Sequence, residues 1–365
     1  MSQIVPPYLL DRIADAGADR FPLAAAAARR SLLHDAPRRA LRGAPPVVPA
    51  PFDDDLPTVL PDAPSTPDRR ISDAGGRETL PGRLVRREGE PATGDESVDE
   101  AYDGLGDTHR LFDRVFGRDS IDGAGMPLEA TVHFGRRYDN AFWDGERMVF
   151  GDGDGEVFRG FTGSLSVIGH ELAHGVTEHT AGLRYQGQSG ALNEHVSDAF
   201  GALVEQYALG QDAGAATWLI GEGIFTDEVE GRALRSMIEP GTAYDDDVLG
   251  RDPQPGHMRD YIDTTDDNGG VHLNSGIPNR AFALAARELD GFAWEGVGRI
   301  WYDTLTSGRL SRDATFAEFA ADTVQSAEAR FGAGSREARA VVNGWREVGV
   351  LGEETGGQAG GAAAE

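Results

Sequence analysis

His170-Glu171-Leu172-Ala173-His174, followed after nineteen residues by Glu194 in the run Gly190-Ala191-Leu192-Asn193-Glu194-His195-Val196-Ser197-Asp198, decides how this chain is read. On an α-helix, residues four apart lie about 40° apart around the axis and about 6 Å along it, so two imidazoles at this spacing converge on one ion. Glu171 is rotated by about 100° from His170, beside such an ion and placed to take a proton from water. HExxH with a distant carboxylate is a zinc-protease constellation. Two His and one Glu leave the fourth position of the ion open, as a catalytic site requires and a closed structural site does not.

The surroundings read as helices. Residues 164–181 place apolar Leu165, Ile168, Leu172 and Val176 between small polar residues and Gly182, and 191–209 form a second helix stopped by Gly210. Glu194 and Asp198 fall one turn apart on that second helix. His179 and His195 lack comparable company and read as surface or packing histidines.

The composition narrows the class. A 365-residue chain with 39% hydrophobic residues can bury a sizeable core, and its length suggests two lobes with appendages. No run approaches eighteen apolar residues, so no membrane helix is expected, and the first residues lack the basic and apolar regions of an ordinary secretion signal. Synthesis in the cytoplasm, with export by another route, is the expectation. Without Cys there are no disulfides, thiolate ligands or cysteine nucleophiles, and without Lys every side-chain cation except His is Arg. A formal net charge of −27 argues against nucleic acid and anionic membrane as partners.

Along the chain, 1–43 reads as a compact helical segment and 44–69 as a Pro-rich, acidic linker; 71–163 mixes alternating runs such as 130–134 and 148–150 with Gly-Asp turns, which suggests sheet. Helical patterns follow at 278–289, 293–306, 314–331 and 335–348, and 352–365 has nothing to bury. The expected architecture is α+β in two lobes: a leader and linker (1–65), a β-rich lobe that includes the HExxH helix (66–185), a helical lobe (186–350) and a disordered tail (351–365). Gly151-Asp152-Gly153-Asp154-Gly155 imitates a calcium loop, but Val157 and Gly163 stand where an EF-hand needs Gly and Glu. It reads as a tight turn.

From about 71 to 349 the chain resembles the thermolysin family of zinc metallopeptidases. The zinc motifs, Asn140-Ala141-Phe142-Trp143, Leu234-Arg235-Ser236-Met237 and Asp267-Asn268-Gly269-Gly270-Val271-His272 carry the likeness. The resemblance implies a thermolysin-like fold with zinc in the cleft between the lobes, held by His170, His174 and Glu194. It implies Glu171 as general base, Asp198 and Asn193 as partners orienting the two His, and Tyr185 and His272 as oxyanion donors with Asp267 behind His272. Asn140, Ala141 and Arg235 would bind substrate backbone, with Arg235 at the carbonyl after the cut. Phe158, Val167, Ile220 and Leu234 would form an apolar pocket selecting bulky hydrophobic side chains there. For Arg235 a structural ion pair is the rival reading, for Tyr185 a packing role, for His272 a purely structural bond to Asp267, and for the pocket residues ordinary core packing.

Two departures matter. Thermolysin-like enzymes often carry a double calcium site; Glu205 and Glu222 match its acids, but Ser166, Thr217 and Leu219 stand where carboxylates are expected. That argues against a double site and leaves Ca²⁺ open only as a single ion. Arg232 replaces the acid expected for a further calcium near Phe225 and Thr226. At the other end, Pro6-Pro7-Tyr8 resembles the short propeptide of protealysin-like members, which implies a self-processing precursor whose own leader inhibits it, cut in the linker. The expected protein is a monomeric zinc metalloendopeptidase acting on peptides or proteins. An aminopeptidase and a non-catalytic, zinc-stapled interaction protein are the alternatives.

Overall fold

The computed structural model describes residues 3–42 and 65–352. The expected linker cut and most of the expected tail lie outside them. Two leader helices come first, α1 (Pro7–Ala16) and α2 (Pro22–Arg42). Pro7 occupies the first turn of α1, where its missing N–H costs nothing. Apolar Leu9, Leu10 and Ile13 face inward, and with Ile4, Val5, Phe21, Ala24 and Ala28 they join the main core of the molecule. The leader is packed as part of one body.

The first lobe holds a five-stranded sheet in the order β2-β1-β3-β5-β4, built from β1 (Arg69–Asp73), β2 (Arg83–Arg87), β3 (Leu128–Val132), β4 (Ala141–Trp143) and β5 (Arg147–Phe150). β1, β3 and β5 run parallel, and the outer pairs β1/β2 and β4/β5 are antiparallel. Parallel neighbours need a crossover, and α3 (Glu96–Phe116) supplies the one between β1 and β3. Sequence reading took 71–163 as sheet and missed this helix. Its signals were local: the Asp95 side chain caps it by accepting from Val98 N, and left-handed Gly117 ends it.

α4 (Leu165–Glu178) and α5 (Gly187–Leu209) then cross face to face. A Cβ on Gly201 of α5 would lie 2.4 Å from the Ser166 carbonyl oxygen and 3.0 Å from His170 N, so only glycine permits this approach. The crossing brings the HExxH face of α4 against Glu194 and Asp198. α5 begins a turn earlier than the sequence suggested, because Gly190 is a contact residue there, not a breaker: a Cβ would meet Val271 at 2.5 Å. Short strands β6 (Leu219–Ile220) and β7 (Arg235–Ser236) pair beside α5, and α6 (Asp267–Asn274), α7 (Gly276–Leu289), α8 (Val297–Thr306), α9 (Phe316–Phe331) and α10 (Arg336–Glu347) complete the helical lobe. None of the described helices is long and apolar enough to cross a membrane.

Candidate active site

His170, His174 and Glu194 present ligand atoms all within 4.8 Å of one another, and they form the one such cluster of His, Asp and Glu among the described residues. The protonation pattern follows from the far nitrogens. Nδ1 of His170 donates to Asp198 at 2.8 Å, and Nδ1 of His174 donates to Asn193 Oδ1 at 2.7 Å. Asn193 is held that way round because its amide nitrogen donates to the Leu183 carbonyl at 2.9 Å. In neutral imidazoles both Nε2 atoms therefore carry lone pairs, yet they stand only 3.0 Å apart. Glu194 Oε2 lies 3.5 Å from His170 Nε2, buried and without a hydrogen-bond donor. In that tautomer three electron-pair donors converge on one point, which suits a cation, and two imidazoles with one carboxylate suit zinc.

Asp198 does more than orient His170. It also accepts a two-pronged bond from Arg235, Nε at 2.9 Å and Nη2 at 2.8 Å, and a bond from Asn279 Nδ2 at 2.8 Å. Burial alone would raise the Asp198 pKa, but Arg235 and His170 outweigh it and hold the carboxyl well below the usual range. Behind Asn279 stands His195, whose Nδ1 donates to Asn279 Oδ1 at 2.8 Å while its Nε2 accepts from Trp301 Nε1 at 2.7 Å. Burial pushes His195 down to about 4, so it stays neutral in this chain of bonds. Its packing role was expected; Asn279 was not, because nothing in Gly276-Ile277-Pro278-Asn279 marks a functional residue.

Opposite the ligands, Tyr185 OH donates to Glu194 Oε1 and lies 3.2 Å from His272 Nε2. The approach to His272 runs through Asp267, Asn268, Gly269 and Gly270, all with φ between 50° and 84°. That left-handed turn is tolerable for Asp, Asn and Gly, and it folds the Asp267 carboxylate back onto His272, accepting from the backbone N at 2.9 Å and from Nδ1 at 2.7 Å. Burial would lower the His272 pKa, but Asp267 and then Glu194 push it up to about 9. Asp267 is the partner that keeps acting when the charge of Glu194 is committed to a metal. Glu171 is fully buried, and its Oε2 accepts from Trp143 N at 3.0 Å.

The leader enters this site beside β4. Ile4 N donates to the Ala141 carbonyl at 3.2 Å, on the free edge of β4. Val5 N donates to Asn140 Oδ1 at 3.0 Å, Arg235 Nη1 donates to the Ile4 carbonyl at 3.0 Å, and the Gln3 carbonyl lies 3.1 Å from His272 Nε2. Asn140, Ala141, Arg235 and His272 are thus gathered on one short stretch of leader backbone, Gln3 to Val5. Arg235 makes both its ion pair and its contact with that backbone. A residue unforeseen in the sequence, Asp35 of α2, accepts from Asn140 Nδ2 at 3.1 Å and Tyr138 OH at 2.6 Å. Pro6 and Pro7 sit at the start of α1 directly after this segment, and Tyr8 packs against the core.

Phe158, Val167, Ile220 and Leu234 are buried in the same apolar core as Ile4. Ile220 pairs across β6/β7 with Arg235, so the apolar strand and the Ile4-binding guanidinium are neighbours. Glu205 accepts from Ser166 N at 3.2 Å, and Glu222 from Thr217 Oγ1 at 2.9 Å. Burial and then, most weakly, the Glu222 charge raise the Glu205 pKa, with Ser166 opposing. No third His, Asp or Glu joins them in a metal-sized cluster among the described residues.

Comparison with known proteins agrees with this geometry. Residues 67–178 match the thermolysin metallopeptidase catalytic domain and residues 181–350 its alpha-helical domain. An extracellular metalloprotease of Pectobacterium carotovorum subsp. carotovorum is 50% identical over 95% of this chain and 96% of its own length. Protease PrtS of a Photorhabdus species is 52% identical over 77% of this chain and 76% of its own. The solved precursor of protealysin, a metalloproteinase from Serratia proteamaculans, superposes with a TM-score of 0.85 at 49% identity, covering 96% of this chain and all of that one. With catalytic and helical domains both matched and a metal triad between them, the chain belongs to the thermolysin family of zinc metallopeptidases, on its protealysin-like branch.

Proposed function

We propose that the chain is a latent endopeptidase that cuts on the N-terminal side of bulky hydrophobic residues, with its own leader as the inhibitor. One observation carries the reading: the leader occupies the cleft through its backbone, its Gln3 carbonyl at His272 and its Ile4 side chain in the apolar core. A substrate lying the same way would present the residue after the cut where Ile4 sits.

When bound, zinc supplies a Lewis acid and water of lowered pKa. The chain's own residues then divide the remaining work. Glu171, dry and fixed by Trp143 N, takes a proton from the attacking water and passes it to the departing amine. Protonated His272 and the Tyr185 hydroxyl donate to the carbonyl oxygen as it gains charge, and Asp267 keeps His272 charged and aimed. Asn140, Ala141 and Arg235 hold the substrate backbone. Asp198 ties Arg235 to His170, so substrate grip and ligand placement share one support.

The test is Glu171→Gln in the mature protein. The variant should keep zinc at one ion per chain by elemental analysis and lose peptide hydrolysis by about 10²–10⁴-fold. Equal activity with zinc retained would remove Glu171 from the chemistry. Processing in the linker, a monomeric state and action outside the cell complete the proposal; the name of the Pectobacterium relative places that protein outside the cell.

A further inference from the structure

We infer that the Gln3–Ile4 peptide bond is itself a cleavage site, so that the inhibitory leader is trimmed by the site it fills. This rests on the proteolytic reading above. Both sides of that one peptide unit are held: its carbonyl oxygen 3.1 Å from His272 Nε2, its N–H on the Ala141 carbonyl at 3.2 Å. His272 Nε2 in turn lies 3.6 Å from Glu194 Oε2, so this carbonyl is the leader's point of approach to the metal triad.

A slide of one residue toward the N-terminus is blocked. Asn140 Oδ1 accepts from Val5 N at 3.0 Å, and such a slide would bring Pro6, which has no N–H, to that acceptor. Beyond Pro6 the chain turns directly into α1, so the segment held by its backbone ends there. The helices behind it are anchored to the helical lobe and to the 151–156 turn: Arg12 Nη2 donates to the Asp247 carbonyl at 2.9 Å, and Arg20 Nη2 to the Glu228 carbonyl at 2.7 Å. Glu156 accepts from Leu23 N at 2.8 Å and Ala24 N at 3.0 Å, capping an α2 that has no acid of its own in its first turn. Gln3–Ile4 is thus pinned from both directions.

The reaction is ordinary hydrolysis. Water adds to the Gln3 carbonyl carbon, the C–N bond to Ile4 breaks, and a proton passes to the Ile4 nitrogen. The products are a carboxylate on Gln3 and a chain beginning with the Ile4 ammonium. Arg235 and Asn140 still hold the Ile4 and Val5 backbone, so the leader remains seated after the cut.

The test follows full-length zinc-loaded protein by intact mass and N-terminal sequencing over time, with Glu171→Gln alongside and hydrolysis of a separate peptide by mature protein measured in parallel. The wild type should acquire the N-terminus Ile4-Val5-Pro6 with a rate independent of protein concentration, and Glu171→Gln should not. Ile4→Asp should slow the cut by about tenfold or more. Mature protein that hydrolyses the separate peptide while the full-length chain keeps its Gln3–Ile4 bond overturns this inference alone. Cutting of Ile4→Asp at the wild-type rate overturns it as well. Zinc-loaded mature protein that fails to cut the separate peptide overturns the proteolytic reading too.

Discussion

Arg235 and Asp198 form a fully buried, two-pronged ion pair, and the same Asp198 oxygen that receives Arg235 Nη2 also receives Nδ1 of the metal ligand His170. Removing one partner of a buried pair leaves the other charge uncompensated. Arg235→Ala should therefore destabilise the folded chain by about 3–5 kcal/mol and also lower kcat/KM on peptides. Thermal unfolding and steady-state kinetics check both. Loss of activity with unchanged stability would make Arg235 a substrate contact only.

Asp35 connects the leader to the cleft by accepting from Tyr138 OH and Asn140 Nδ2 inside the protein. Asp35→Ala strands those donors at a cost of about 1–3 kcal/mol, which falls on the leader-bound state alone. The variant should convert to its mature form faster than wild type when both are followed by gel and mass spectrometry. An unchanged rate would mean that leader docking does not limit maturation.

A pH effect follows from Asp139, buried beneath α2 with its N–H on Ser31 Oγ at 3.0 Å. Burial, then the neighbouring Asp154 carboxylate, push its pKa well up, with Arg30 opposing. Asp154 already accepts from the N–H groups of Glu156, Val157 and Phe158, so the proton belongs on Asp139. A raised folded pKa means that this group's favourable contribution is complete below its unfolded value and lost as pH rises through the folded one. Relative to wild type, Asp139→Asn should gain stability with rising pH across that window, by up to about 1.4 kcal/mol per unit. Melting curves of both proteins at pH 5 and pH 8 measure it; a pH-independent difference would refute the assignment.

The metal triad makes a prediction about folding as well. Zinc binds the converged lone pairs of the native state, so adding it to chelator-stripped protein should raise stability, by about 2.7 kcal/mol at a hundred times its Kd. Glu194→Gln should shrink that gain. Differential scanning calorimetry with and without zinc decides, and no shift would mean that the triad is not a metal site.

What could be read from residues alone was the chemistry that depends on fixed helical offsets. His170, His174, Glu194 and Asp198 lie at spacings that α4 and α5 convert directly into one cluster. α3 carried a helical signal, with Val98, Tyr102, Leu105, Phe112 and Val115 recurring on one buried face of Glu96–Phe116, but the stretch was read from the strand and turn signals around it. The leader's seating was legible only as the Pro6-Pro7-Tyr8 motif. Its grip on the cleft is largely backbone to backbone or backbone to Asn140, Arg235 and His272, and such bonds leave no mark on residue types at Gln3, Ile4 and Val5. Asn279 and Asp35 were hidden for another reason: each acquires its role only when distant segments meet.

The central claim, a zinc endopeptidase selecting a bulky hydrophobic residue after the cut, is tested most directly by product mapping. Mature protein is given N-acetylated peptides with Leu, Ile, Phe, Asp or Gly at one internal position, and the fragments are identified by mass spectrometry. The account predicts internal cuts before Leu, Ile and Phe, abolished by chelator and restored by zinc. Cutting only from free amino termini, cutting indifferent to the residue after the bond, or cutting that survives zinc removal would contradict it.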